Sequence, residues 1–397
     1  MQPNGALSKI RILSFAQMAQ GPSAVQYLAD MGARVIKVER PGSGAYERSW
    51  SALNIFLNGE SGFFLALNRN QKSITVDLKS PEGKEIIHAL ARDCDVLVEN
   101  YRPGVMERLN LDYATLSKIN PGLVYASASG YGSDGPYRDK AGQDMLAQVM
   151  SGLASVTGKR SDFPTPVGAA VVDVHSSSLL VVAILAALYY REQTGKGQKV
   201  EVNLLESAID LQKEAFFYYM NGGEERSLLR SASGIDAPFY DAPHGIYETR
   251  NGYLAISLAS LEKLGEVLNI EAIGAYTREE AFTRRDEIKD RIQQRIIENT
   301  TEEWLRILEL EDIWCAPVKN YAEVIADPQV QHNRTVREMS RDDIGSFRVI
   351  GPPVHMSATP PELGAPPPRL GEHTNEILSS LGYLPDRIRE LREKGVI

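Results

Sequence analysis

Within the first 205 residues, short β-prone apolar runs alternate with helix-patterned stretches, and no other feature restricts the fold as much. Residues 10–15, 34–38 (RVIKV), 73–78 (SITVDL), 95–98 (DVLV), 123–127 (LVYAS) and 198–202 (QKVEV) read as strands. Helix signals fall between them. Residues 22–31 end at Gly32, Pro81 and Glu82 open another helix with a favoured first turn, and a long one runs from near Asp173 to Gly195-Lys196-Gly197. Such alternation predicts right-handed βαβ units on a mainly parallel sheet: an α/β, Rossmann-like large domain.

After about residue 205 the texture changes. Residues 205–220 look helical, and Asn221-Gly222-Gly223 breaks them. Residues 245–258 carry a strand–turn–strand signal with Arg250-Asn251-Gly252 at the turn, and charge-rich helical segments follow to about 325. Residues 351–368 hold seven of the 21 prolines, so this stretch reads as a stiff, extended connector. The helix signal after it, from residue 374, finds a surface to pack on by returning to the first domain. The division expected is a large domain over 1–205, a linker over 206–224, a smaller α+β domain over 225–325, and a returning segment over 326–397. A length of 397 residues exceeds what one core serves, which agrees with two domains.

Charge and cysteine usage narrow the function. Forty-three basic against 52 acidic residues leave a net charge of −9, which argues against a nucleic-acid or membrane-surface binder but leaves room for a local basic pocket. Two cysteines, Cys94 and Cys315, make no disulfide framework and suit a reducing compartment, so a cytoplasmic location is expected. The opening MQPNGALSKIRIL has no basic-then-apolar leader pattern, and the apolar run at 179–190 is short for a bilayer span.

Asp173 is the first candidate for chemistry. It stands where a small, apolar run (168–172) meets the long helix, with Ser176, Ser177 and Ser178 just beyond. Spacing alone favours an N-cap, a carboxylate accepting the orphan N–H groups. The competing role is a nucleophile for acyl transfer, with the serines and the helix N-terminus stabilising charge on a carbonyl oxygen. His175 is two residues on, and i, i+2 residues do not face one another on a helix. The six histidines and two cysteines have no ligand spacing, so no metal is assigned. Gly130-Tyr131-Gly132-Ser133-Asp134-Gly135 fits the dinucleotide glycine pattern, but Pro136-Tyr137-Arg138-Asp139 follows instead of a helix, and the first βα turn (AQMAQG, 16–21) has a single glycine. A nicotinamide or flavin site is not expected. Arg40, Arg69, Lys72, Arg102, Arg108 and Lys140 fall near the predicted carboxyl ends of strands, which suggests an anionic, phosphate-bearing ligand.

Taken together, several of these segments are similar to the class III CoA-transferases, the family of formyl-CoA transferase and carnitine CoA-transferase. The likeness is carried by residues 14–39, by Asn70-Gln71-Lys72-Ser73 with Val76-Asp77-Leu78, and by Val98-Glu99-Asn100-Tyr101-Arg102-Pro103-Gly104. Residues 168–173, 190–198 (YREQTGKGQ) and 370–374 (LGEHT) complete it in order. The resemblance implies an interlocked homodimer that takes an acyl-CoA and a free carboxylic acid. It places Asp173 on the family's catalytic aspartate. Coenzyme A would be held by Ala19 and Gln20 near the acyl end, Arg40 near the adenosine phosphate, and Val76, Asn100, Tyr101, Arg108 and Lys140 around the rest.

The chemistry implied is covalent: Asp173 attacks the thioester, and an aspartyl anhydride and an aspartyl–CoA thioester follow. Two positions depart from relatives within the family. Gln143-Asp144 stands where racemase members place a His-Asp pair, and glutamine carries no proton. Residues 231–238 (SASGIDAP) hold one glycine where formyl-CoA transferases carry a run, which counts against formyl/oxalate specificity. A racemase or epimerase acting on acyl-CoA, and a CoA-binding protein without turnover, are the alternatives.

Overall fold

A computed structural model describes residues 5–223 and 228–397; the expected boundary at 224/225 lies outside the described residues. Contacts group the chain into two compact units. One holds residues 1–147, 170–207 and 328–397, and the other holds 148–169 and 208–327.

The first unit is built on six parallel strands: β1 (Arg11–Ser14), β2 (Arg34–Glu39), β3 (Gln71–Thr75), β4 (Val96–Glu99), β5 (Val124–Ser129) and β6 (Lys199–Asn203), in the order β3-β2-β1-β4-β5-β6. Strands buried on both faces need apolar residues in succession, which is why the whole of β4 is buried. The crossovers are α1 (Gln20–Asp30), α2 (Pro81–Asp93), α3 (Val105–Leu109), α4 (Tyr113–Ile119), α5 (Asp144–Met150) and α6 (Val171–Thr194). Ser80 caps α2 through its Oγ, and Pro81 occupies its first position. Gly195 ends α6 at φ 73°, a left-handed cap that favours glycine.

One sheet face packs on α1 and α6, where Ala24, Val25, Leu28, Leu180 and Ile184 meet Val96, Val98 and Val124. Alpha-6 is long and apolar enough to cross a membrane; Leu180, Val181, Ile184 and Ala187 pack it on the sheet. The other face takes α2 and the C-terminal helices Thr374–Ser380 and Pro385–Glu393, whose Ile377, Leu378, Ile388 and Leu391 join Leu13, Ile74 and Leu97. Each of these four contributes on the order of 1.5–3 kcal/mol of apolar burial, enough to hold the returning segment on the sheet. A hairpin, Val336–Arg341 with Gly345–Ile350, precedes the proline-rich stretch.

Three local expectations need correction. Beta-3 runs 71–75 rather than 73–78, because after Val76 the chain turns and the Asp77 N–H donates to Val396 O. Arg69 and Lys72 sit at the amino end of β3, not at a carboxyl end, and both are paired: Arg69 with Asp30, Lys72 with Glu376. Residues 205–220 form two helices, Leu204–Asp210 and Lys213–Met220, not one.

The second unit carries an antiparallel sheet of β7 (Gly245–Glu248), β8 (Tyr253–Ile256) and β9 (Cys315–Pro317), with β8 central. Tyr247, Leu254, Ile288, Ile292, Trp304 and Leu308 form its core with the helices around it. The hairpin at 250–252 stands as expected. Beta-9 was hidden in a stretch read as helical, since three residues ending in Pro317 carry no period.

Candidate functional site

In a parallel sheet of this order the chain reverses direction between β1 and β4, and ligands lie in the crevice outside the carboxyl ends of those strands. The loops there are stitched to each other. Asn100, just past β4, accepts from the Gln17 N–H at 2.8 Å and donates through Nδ2 to Gln17 O at 2.8 Å, while Gln17 Nε2 donates to the Tyr101 hydroxyl. From below, a buried Lys37 donates to Ala16 O at 2.7 Å and pairs with Glu47 at 3.0 Å; Glu47 in turn accepts from the Met18 N–H. Met18 has φ 63°, a strained value for a residue with a side chain, and this network holds it. Beside it, Arg48 clamps Glu39 with two hydrogen bonds of 2.6 and 2.8 Å. Burial opposes ionisation of Glu39, but Arg48 and Lys37 outweigh it and hold the carboxyl below its usual range.

Asp173 lies in the first turn of α6, at the same edge of the sheet, but it is not the cap. The cap position is Ala170, and Asp144 Oδ2 accepts the N–H groups of Val172 and Asp173, each at 2.8 Å. The three serines are also committed: Ser176 and Ser177 to Asp173 O, Ser178 to Val174 O. So neither the serines nor those two amides are available to stabilise an oxyanion, contrary to the sequence expectation. The Asp173 carboxylate receives no hydrogen bond among the described residues. Burial first, and then the charge of Asp144, push it up to about 7. Ser177 Oγ is shared between Asp173 O and Gln20 O, 2.6 Å from each, which fixes α6 to the start of α1. Gln20 is 5% exposed, and its Nε2 is buried without a partner among the described residues.

The expected ligand residues divide. Asn100, Tyr101 and Lys140 line one cavity of about 110 Å³, together with Arg102, Arg138 and Gly142. Arg108 and Arg138 flank Gly104: a Cβ there would stand 3.1 Å from one guanidinium and 3.6 Å from the other. Arg40 follows the last residue of β2, and its charge eases ionisation of the Tyr101 hydroxyl against the burial that raises it. Arg40, Arg102, Arg108, Arg138 and Lys140 are all exposed, and none is paired with a carboxylate among the described residues. Ala19 caps the backbone of α1. Val76 is 1% exposed inside the core with Ile74, so its side chain offers a ligand no surface.

Gly130, the first glycine of the pattern, packs against Gly142. A Cβ on either would come within 2.6 Å of the other's Cα, so the cavity loop closes only with glycine at both positions. Arg138 and the Asp144 cap escaped the sequence reading. Lys37, set between the apolar Ile36 and Val38 of β2, was the available sign of the Lys37–Glu47 pair.

A Rossmann-order sheet, exposed cations without carboxylate partners among the described residues near its switch point and a half-buried carboxylate at a neighbouring helix end make up an arrangement suited to an anionic ligand. Comparison with known proteins is specific: the chain belongs to CoA-transferase family III, whose model matches residues 7–374. It is 36% identical over 399 residues to the succinyl-CoA:glutarate CoA-transferase of Mus musculus, covering 98% of this chain and 90% of that protein. With the formyl-CoA:oxalate CoA-transferase of Rhodopseudomonas palustris it shares 34% over 417 residues, 98% and 97% of the two chains. A CaiB/BaiF family protein from Brucella suis superimposes with a TM-score of 0.82 at 29% identity, over 95% of this chain and all of that one.

Proposed function

We propose that the protein moves coenzyme A from an acyl-CoA donor to a free carboxylic acid, with Asp173 as the covalent carrier. The observation that carries this reading is the Asp173 carboxylate: half-buried, relieved of capping by Asp144, and given no hydrogen-bond donor among the described residues that would blunt it. Its oxygen attacks the thioester carbonyl, the C–S bond breaks, and CoA leaves as thiolate from a mixed anhydride. The thiolate then attacks the aspartyl carbonyl, releasing the first acid as carboxylate and leaving an aspartyl–CoA thioester. The acceptor carboxylate repeats both steps in reverse, and Asp173 is regenerated. A carboxylate suits this work because an anhydride keeps the acyl group activated without ATP.

The unpaired cations Arg40, Arg108 and Lys140, with Asn100 and Tyr101, would hold the CoA phosphates and pantetheine, with Ala19 and the backbone near Val76 alongside. Gln20, with an unsatisfied amide beside α6, is the donor for charge developing on the carbonyl oxygen. A cytoplasmic, homodimeric enzyme is part of the same proposal. Relatives named for succinyl-CoA and glutarate make short dicarboxylates the first acceptors to try. The test is isotope exchange: labelled glutarate or succinate should enter the CoA ester pool in the presence of succinyl-CoA. Solvent deuterium appearing at the α-carbon of 2-methylacyl-CoA, with no acid exchange, would identify a racemase instead.

A further inference from the structure

The second unit holds a separate group of chemistry-bearing side chains. Ser257 Oγ lies 3.4 Å from Nδ1 of His244, and Nε2 of the same ring lies 3.3 Å from Oδ2 of Asp236. With its proton on Nε2, the nitrogen nearer the aspartate, the ring leaves the Nδ1 lone pair to the serine hydroxyl, the tautomer a general base requires. Strand pairing sets the distance. Ile256 is in register with Gly245, so the next residue along β8 and the one before β7 come side by side. The Ser257 N–H donates to Trp314 O, tying the serine to the third strand as well. Tyr240 stacks on His244, ring centroids 4.3 Å apart and planes 12° from parallel, which fixes the imidazole and covers one face.

The backbone adds an independent observation. Directly after Ser257, Leu258 has φ 21°, and the helix Leu261–Leu268 begins three residues on. The nucleophile thus stands on a strained strand-to-helix turn. The Leu258 N–H makes no hydrogen bond among the described residues, and an amide next to a nucleophile is where acyl-transfer sites place an oxyanion donor.

We propose that Ser257, His244 and Asp236 form a second catalytic group, independent of Asp173, that hydrolyses small activated acyl esters and thioesters. The serine oxygen adds to the carbonyl carbon while its proton passes to His244 Nδ1, and the oxyanion takes the Leu258 N–H. The bond to the alcohol or thiol breaks, and the imidazolium returns the proton to that leaving group. Water, deprotonated by His244, then adds to the acyl-serine, and the acid leaves with the serine restored. Asp236 orients the ring.

The experiment uses the full chain carrying Asp173→Asn, so that hydrolysis through an aspartyl anhydride is absent. The substrate is p-nitrophenyl acetate, with a fluorophosphonate as covalent probe. The probe should be found on the peptide holding Ser257, and Ser257→Ala or His244→Asn should each slow ester hydrolysis by about 100-fold or more. Ser257→Cys keeps a nucleophile at the position and should trap the acetyl group there, which guards against a variant that has merely unfolded. Equal hydrolysis in parent and both loss variants, or probe on any other residue, overturns the proposal. Because Asp173 is already disabled, failure here leaves the transferase reading untouched.

Discussion

Asp144 and Asp173 stand 29 residues apart in sequence and share one helix end, where a single Asp144 oxygen caps two amides and its charge faces the second carboxyl. A carboxylate near 7 is half protonated at neutral pH, so the nucleophile is lost as pH falls through that value. The acid limb of kcat/KM, which reports the free enzyme, should therefore lie near pH 7. Asp144→Asn retains an oxygen for the cap but removes the like charge, so the limb should shift to lower pH with the fold intact. Asp144→Ala also loses the cap and should cost about 0.5–2 kcal/mol of stability in denaturant titration. A limb unmoved by Asp144→Asn would show that the charge at 144 has no reach to residue 173. None of this was open to the sequence: the cap depends on tertiary contact, and spacing alone assigned the capping role to Asp173 itself.

At the level of elements, the switch point between β1 and β4 gathers the loops that carry the cations. Arg40 and Lys140 come from different loops, after β2 and after β5, and neither has a carboxylate partner among the described residues. Replacing either by Ala should weaken CoA binding by about 1.5–3 kcal/mol in calorimetry, the scale of a charged hydrogen bond. The loss should shrink with dephospho-CoA for whichever residue meets the 3′-phosphate; unchanged affinity in both variants would make them ordinary surface charges. The strands themselves were legible because parallel strands buried on two faces leave continuous apolar runs, as in β4. Short or edge elements were not: β9 has three residues, and the hairpin at 336–350 alternates charged and apolar residues in a stretch that earned no assignment. Arg69 and Lys72 were misplaced for a different reason: both come before the apolar run that marks the strand, so they belong to its amino end whichever residue opens it.

Across the whole molecule, the chain leaves the first unit, builds most of the second, and returns through residues 328–397 to pack on the sheet where it began. Large apolar side chains remain exposed on the single chain, among them Val182 and Tyr189 of α6 and Phe217 and Met220 of the helix Lys213–Met220. A second copy covering such surface is what the proposed homodimer supplies. Sedimentation at nanomolar concentration should still show a dimer, and a stable, active monomer would contradict it. In the proposed mechanism an acyl group rests covalently on Asp173. Enzyme incubated with succinyl-CoA alone and quenched with hydroxylamine should yield a hydroxamate at Asp173, found by peptide mass spectrometry, because anhydride and thioester are open to amine attack and a resting carboxylate is not. Asp173→Asn should give no adduct and no transfer while still binding CoA. Transfer that persists in that variant, or an adduct on a different residue, would contradict the claim.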